Sequence, residues 1–183
     1  MDISQLSKLF QSHKEKFYKA LEDSTSSDVA RSLHGIKIDS DNFDITFKEA
    51  KDNTISYVLS LKDGFSLEDL DFSKSIESGF LVMTIKTKKD NMSGQLEISV
   101  PNSIAEFFVN AVNGDIKTNG VPISLAELHA INGDLNVYLT SGVYFITTET
   151  TNGDTNNSVE SDTKSNNRII CSTINGDINI KRF

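Results

Sequence analysis

An all-β chain wound as a coil of short strands is the fold class this sequence predicts, and three observations predict it. The tripeptide Asn-Gly-Asp occurs four times, as Asn113-Gly114-Asp115, Asn132-Gly133-Asp134, Asn152-Gly153-Asp154 and Asn175-Gly176-Asp177. Its glycines lie 19, 20 and 23 residues apart, so the recurrence is a period, and periods of this length mark stacked structural units. Across most of the remaining chain apolar residues alternate with polar ones, the pattern of half-buried strands. The expected architecture is a β-solenoid or β-helix-like coil with rungs of about 20 residues, preceded by an amphipathic helix. Two regions follow: residues 1–34, helical, and residues 35–183, the β-repeat, most regular from 93 to 183.

The helix is predicted over Ser4–Glu22. Leu6, Leu9, Phe10, His13, Phe17 and Leu21 recur at three- and four-residue steps, while lysines and glutamates fill the opposite face. Such a stripe suits capping of an open solenoid end, and self-association through it is the competing use. Its mixed charges do not suit a membrane surface. A second short helix is expected near Asp28–Leu33. From Gly35 the period changes to two. Ile36 and Ile38, then Phe43, Ile45 and Phe47, then Ile55, Tyr57, Leu59 and Leu61, then Leu81, Met83 and Ile85 define strands separated by Asp-, Asn- and Gly-rich turns. Leu67–Ser75 reads equally as a strand or a helical turn. Leu96, Ile98 and Val100 alternate up to Pro101, which ends that strand or places it at an edge.

With the four tripeptides in register, columns emerge. Two residues before each Asn stand Ala111, Ala130, Thr150 and Thr173; four before stand Val109, Leu128, Thr148 and Cys171. Two after each Gly stand Ile116, Leu135, Thr155 and Ile178. The inward phase slips by one across Asn-Gly, which demands a bend. Glycine tolerates the bend, Asn either bonds the local turn or stacks on its equivalents as an amide ladder, and Asp caps the turn. These twelve residues are expected to be a structural turn ladder rather than a binding array. Antiparallel hairpins at each Asn-Gly are the competing reading. The third copy is thin, since residues 147–168 are nearly all polar.

Gly94-Gln95-Leu96-Glu97-Ile98-Ser99-Val100-Pro101 followed by recurrent Asn-Gly-Asp rungs resembles a bacterial adhesin family, of the DUF4097 type. Asp41-Asn42-Phe43-Asp44-Ile45-Thr46 looks like that family's degenerate first copy. The resemblance covers roughly residues 35 to 183. It implies a solenoid-like β-fold, a bacterial source, often a cell-envelope setting, and no catalytic residues.

A formal charge of −8 and a pI near 4.8 argue against nucleic acid and anionic membranes as partners. No segment is apolar enough to insert in a bilayer and no secretory leader is evident, so the chain as written is cytoplasmic, or surface-exposed if it is part of an anchored protein. The three histidines, His13, His34 and His129, form no metal-binding motif, and the single Cys171 falls in a core column. Stacked Asp side chains suggest calcium, but one carboxylate per rung is too few oxygens. No cofactor, metal or catalytic residue is therefore assigned. The expected function is a non-enzymatic interaction or scaffold module that binds protein or an envelope polymer. The alternative is a small polysaccharide-active β-helix enzyme, which convergent Asp, Glu and Arg in one groove would favour.

Overall fold

The computed structural model describes residues 16–183, which form two open mixed sheets facing each other across one core. The chain runs through β1 (Phe17–Ser24), α1 (Ser27–Arg31), β2 (Gly35–Ser40), β3 (Phe43–Glu49), β4 (Ser56–Lys62), a 3₁₀ turn at Leu67–Asp69 and β5 (Leu70–Glu77). It continues through β6 (Phe80–Thr87), β7 (Gly94–Val100), β8 (Glu106–Asn113), β9 (Ile116–Asn119), β10 (Leu125–Asn132) and β11 (Leu135–Leu139). The last strands are β12 (Phe145–Asn152), β13 (Thr155–Asn157), β14 (Arg168–Asn175) and β15 (Ile178–Arg182). One sheet has eight strands in the order β1-β4-β7-β3-β9-β11-β15-β13. The other has seven, β12-β14-β10-β8-β2-β6-β5.

Each Asn-Gly-Asp joins a strand of the seven-stranded sheet to one of the eight-stranded sheet, and like strands pair in parallel. Leu128 lies opposite Val109 on one side and Cys171 on the other, and Leu135 lies between Ile116 and Ile178. Alternate residues point inward, so Phe43, Ile45, Phe47, Leu135, Val137 and Ile180 meet Phe107, Val109, Leu128 and Ile169 from the facing sheet. The Phe47 and Phe107 rings, one from each sheet, lie 4.8 Å apart between centroids.

The expected solenoid is not what these strands build. A solenoid stacks its rungs in chain order, whereas here the order is broken twice. The β2–β3 rung sits between β6–β7 and β8–β9, and β14–β15 is inserted between β10–β11 and β12–β13. Strands β1, β4 and β5 then add to the sheets antiparallel, so neither sheet is a one-directional stack. The polar third copy is thereby explained: β12 and β13 are edge strands, with no further described rung to bury their side chains.

The N-terminal helix is corrected as well. The described end of the helix predicted over Ser4–Glu22 instead lies in strand β1, paired antiparallel with β4 from Phe17 opposite Lys62 to Ser24 opposite Ser56. The earlier residues of that helix, with Leu6, Leu9, Phe10 and His13, lie outside the described residues. A bulge between Lys19 and Leu21 explains the misreading. It breaks strict alternation, and the apolar spacing left behind mimics a helical stripe. The open edge of β4 offers main-chain partners along its length, and that tertiary contact overrides local preference. The short helix α1 does form, capped by the Ser26 hydroxyl accepting from Val29 N–H, and it delivers Ala30 to the core with Leu33 just beyond it. The ambiguous 67–75 stretch is both a 3₁₀ turn and the start of β5.

Burial ranks the columns energetically. Leu128 is fully buried at the centre of four stacked strands, whereas Thr148 of the edge strand β12 is only partly covered. Leu128→Ala should cost about 2–5 kcal/mol in chemical denaturation and Thr148→Ala less than about 1 kcal/mol, as expected for a filled core site against a half-covered polar one.

Candidate functional site

The Asn-Gly-Asp corners line one long side of the molecule, and their side chains form two continuous ladders. Asn152 Nδ2 donates to Asn175 Oδ1 at 2.8 Å, Asn175 to Asn132, Asn132 to Asn113, and Asn113 to Asn42, each at 2.6 Å. Asn42 ends the series on the Met92 carbonyl at 3.1 Å. Of the two roles open to Asn, this is the amide ladder. Beside it runs a second series in which each Asp carboxylate accepts the backbone N–H of the next corner. Asp154 N–H donates to Asp177, Asp177 N–H to Asp134 and Asp134 N–H to Asp115, each at 2.8 Å, and Asp115 N–H donates to Asp44 at 3.0 Å. The carboxylates thus bridge rungs instead of capping their own turns. Asn42 and Asp44 join these ladders with Phe43 in the glycine position.

The glycines have a reason beyond bending. A Cβ on Gly133 would lie 2.1 Å from the Gly114 carbonyl oxygen, one on Gly176 2.1 Å from that of Gly133, and one on Gly153 2.0 Å from that of Gly176. The obstacle is backbone in every case, so no side chain can move aside. Threonine in the column two before Asn adds a bond that the sequence did not suggest: Thr173 Oγ1 donates to the Gly133 carbonyl and Thr150 Oγ1 to that of Gly176, both at 3.0 Å.

On the outer face of the eight-stranded sheet, next to the Asp ladder, lies a shallow trough of about 410 Å³. Asp44, Thr46, Gln95, Glu97, Asp115, Lys117, Asn136 and Tyr138 line it. The Lys117 ammonium stands 5.4 Å from the Tyr138 ring centroid. Its acids are engaged: Asp44 and Asp115 hold the backbone of neighbouring corners, and Glu97 pairs with Lys48. Strand alternation could have indicated Lys117, Asn136 and Tyr138 as outward residues. The trough itself was not legible, because Gln95 and Glu97 reach it from β7 by the out-of-order stacking.

His129 points outward from β10, its Nδ1 2.5 Å from the Ser172 hydroxyl. Cys171 is buried, and burial pushes its thiol up to about 12, so it stays protonated at any physiological pH. Among the described residues, no group of three or more His, Cys, Asp or Glu is placed to hold a metal ion. No described helix is long and apolar enough to cross a membrane.

These features define an all-β class of two facing sheets whose parallel rungs are held in register at shared corners. The same fold is found in a "putative cell adhesion protein" from Clostridium sporogenes, which aligns over 92% of this chain and 100% of its own with a TM-score of 0.55 at 14% identity. Looser likenesses are a "putative adhesin" from Parabacteroides merdae and another from Parabacteroides distasonis. The first has a TM-score of 0.42 at 12% identity over 92% of this chain and 78% of its own. The second has a TM-score of 0.34 at 9% identity over 93% and 98%. No family model matches the chain, and no curated protein matches it.

Gly133→Val should abolish cooperative folding, because its side chain collides with the Gly114 backbone. Asp134→Ala, which strips the acceptor from Asp177 N–H, should cost about 1–2 kcal/mol in urea melts, the lower range for a bond to a charged group. The Cys171 thiol should resist a disulfide reagent at pH 8 in the native protein and react at once in denaturant, a difference read by absorbance.

Proposed function

We propose that this chain is a non-enzymatic binding module of a bacterial cell envelope, of the DUF4097 adhesin type, in which the Asn-Gly-Asp corners are structural and the ligand lies along the outer face of the eight-stranded sheet. The trough carries the reading. Its lining combines an aromatic ring, Tyr138, with amides and hydroxyls at Gln95, Asn136 and Thr46, the side chains that hydrogen-bond and stack on a polar polymer such as an envelope glycan. Its openness suits a chain passing through rather than a small molecule enclosed.

The carboxylates argue for binding over turnover. Glycoside hydrolysis needs two of them free to exchange protons on either side of the scissile bond. Here Asp44 and Asp115 each accept a backbone N–H of a neighbouring corner, and Glu97 is paired with Lys48, so all three are committed to structural contacts. The fold likeness to the clostridial protein, whose name speaks of cell adhesion, supports the same class.

The test is binding of the full chain to immobilised cell-envelope polysaccharide. Tyr138→Ala and Lys117→Ala, both outward-facing, should each weaken retention about tenfold, the size of a lost stacking or charged contact, without shifting the melting temperature. Retention indifferent to both changes, or release of new reducing ends during incubation, would overturn the proposal.

A further inference from the structure

The corner ladders are closed at one end and open at the other. At the closed end Asn42 gives its amide to the Met92 carbonyl, and β7, β4 and β1 cover the eight-stranded sheet beyond. At the other end stands the rung β12–β13, an edge of both sheets at once. There the series stops with bonding groups that no described residue takes up. Every other tripeptide glycine donates its N–H to the Asn carbonyl of the next corner: Gly114 to Asn132, Gly133 to Asn175 and Gly176 to Asn152, each at 3.0 Å. Gly153 N–H has no such acceptor among the described residues. Asn152 Oδ1 and the Asp154 carboxylate likewise accept nothing among the described residues, although their equivalents at Asn175 and Asp177 each do. The Gly153 carbonyl also lacks the threonine hydroxyl that the Gly133 and Gly176 carbonyls receive.

The start of this edge, by contrast, is stopped by the chain itself. Ser161 Oγ accepts Ile146 N–H at 2.9 Å and donates to the Ile146 carbonyl at 3.4 Å, filling both outward groups of that residue. Tyr144 bridges to Ser161, and Asp162 N–H donates to the Tyr144 carbonyl at 2.9 Å. Coverage ends there. From Thr148 through the corner to Asn157 the edge is exposed or half-exposed.

We propose that this rung is a strand-addition site for a segment of another polypeptide that carries Thr-x-Asn-Gly-Asp and pairs in parallel with Thr148–Asn157. Each open group specifies one feature of that segment. Its Asn amide donates to Asn152 Oδ1, its Asp N–H to the Asp154 carboxylate, and its Thr hydroxyl to the Gly153 carbonyl. Its Asn carbonyl accepts Gly153 N–H. Its glycine is obligatory, since in the existing stack a Cβ at that position meets the preceding glycine's carbonyl oxygen at 2.0–2.1 Å. Strand addition of this kind draws affinity from main-chain bonds and specificity from side-chain positions. A two-fold pairing of two intact copies is disfavoured, because it would set the acceptor Asn152 Oδ1 against its own equivalent. A second copy can supply the motif only by releasing one of its own rungs, where Thr150–Asp154 and Thr173–Asp177 carry it. The site is separate from the trough and stands whether or not that surface binds a polymer.

The probe is a fluorescein-labelled peptide copying residues 147–157, titrated with the full chain and followed by anisotropy. Saturable binding is expected. The peptide with valine in place of its glycine should not bind, and the peptide with leucine in place of its asparagine should bind at least fivefold more weakly, the scale of one lost hydrogen bond. On the protein, Asp154→Ala should weaken binding about tenfold with an unchanged melting temperature, because that carboxylate accepts no bond among the described residues. Absence of saturable binding would overturn the proposal, as would equal binding of the valine peptide. A concentration-dependent dimer in light scattering that the peptide dissociates would overturn it too, by making a second copy the occupant.

Discussion

Close approach of backbone to backbone at the glycine corners is the constraint from which the rest of this structure follows. The rungs can stack only if nothing projects between consecutive corners, and the carbonyl oxygens lie where any Cβ would stand. With the corners locked, Asn and Asp become coaxial, and the side chains that follow re-enter the core in register. The ladders are therefore a consequence of the spacing, and they reinforce it. Each rung contributes an amide bond and a bond to a carboxylate, and each of those would be unsatisfied if one rung slipped by a residue. Register in a parallel sheet is otherwise protected only by the buried face. Here the corner protects it a second time.

That double protection accounts for the tolerance of the stack to chain order. A rung is accepted wherever its Asn, Gly and Asp meet their equivalents, not only beside its neighbour in sequence. The β14–β15 rung brings Ile169, Cys171, Ile178 and Ile180, all buried, and fits between two other rungs. The β12–β13 rung has Thr148, Thr155 and Asn157 in the corresponding columns and cannot bury a second face profitably. Burying apolar surface is worth about 25 cal/mol per Å², so the apolar rung belongs inside and the polar one at the edge. Composition decides position: residues 140–144 carry the chain past the place that β14–β15 takes, and residues 158–167 bring it back to fill that place.

How much of this was legible in the sequence follows from the range of the forces involved. The strands, the inward columns and the place of each corner were readable, because alternation and the repeat period are local or strictly periodic signals. Asn42 and Asp44 could be aligned with the corners despite Phe43 standing where glycine should be. Stacking order was not readable. Identical corners are interchangeable as far as the motif goes, and only the total burial of each rung separates one order from another. The bulged strand β1 was misread as helix for a related reason: its conformation is dictated by the edge of β4, some forty residues away, and not by its own propensity. The trough with Tyr138 and Lys117 was hidden because β7 reaches it only through the reordered stack.

The Asn-Gly-Asp motif thus carries two kinds of information at once. Inside the stack the Asn side chains, the Asp carboxylates and the glycine N–H groups of the motif are spent on neighbouring corners, so an interior corner presents little for a ligand to take up. At the terminal rung the same groups, in the same geometry, are left over. A periodic interaction in a finite array must end somewhere, and it ends asymmetrically when donor and acceptor point in opposite directions along the axis. One terminus then presents donors, which here the Met92 carbonyl satisfies. The other presents the Asn152 and Asp154 acceptors to solvent. The residues that make the scaffold regular are for that reason the ones that give its open end a chemical identity.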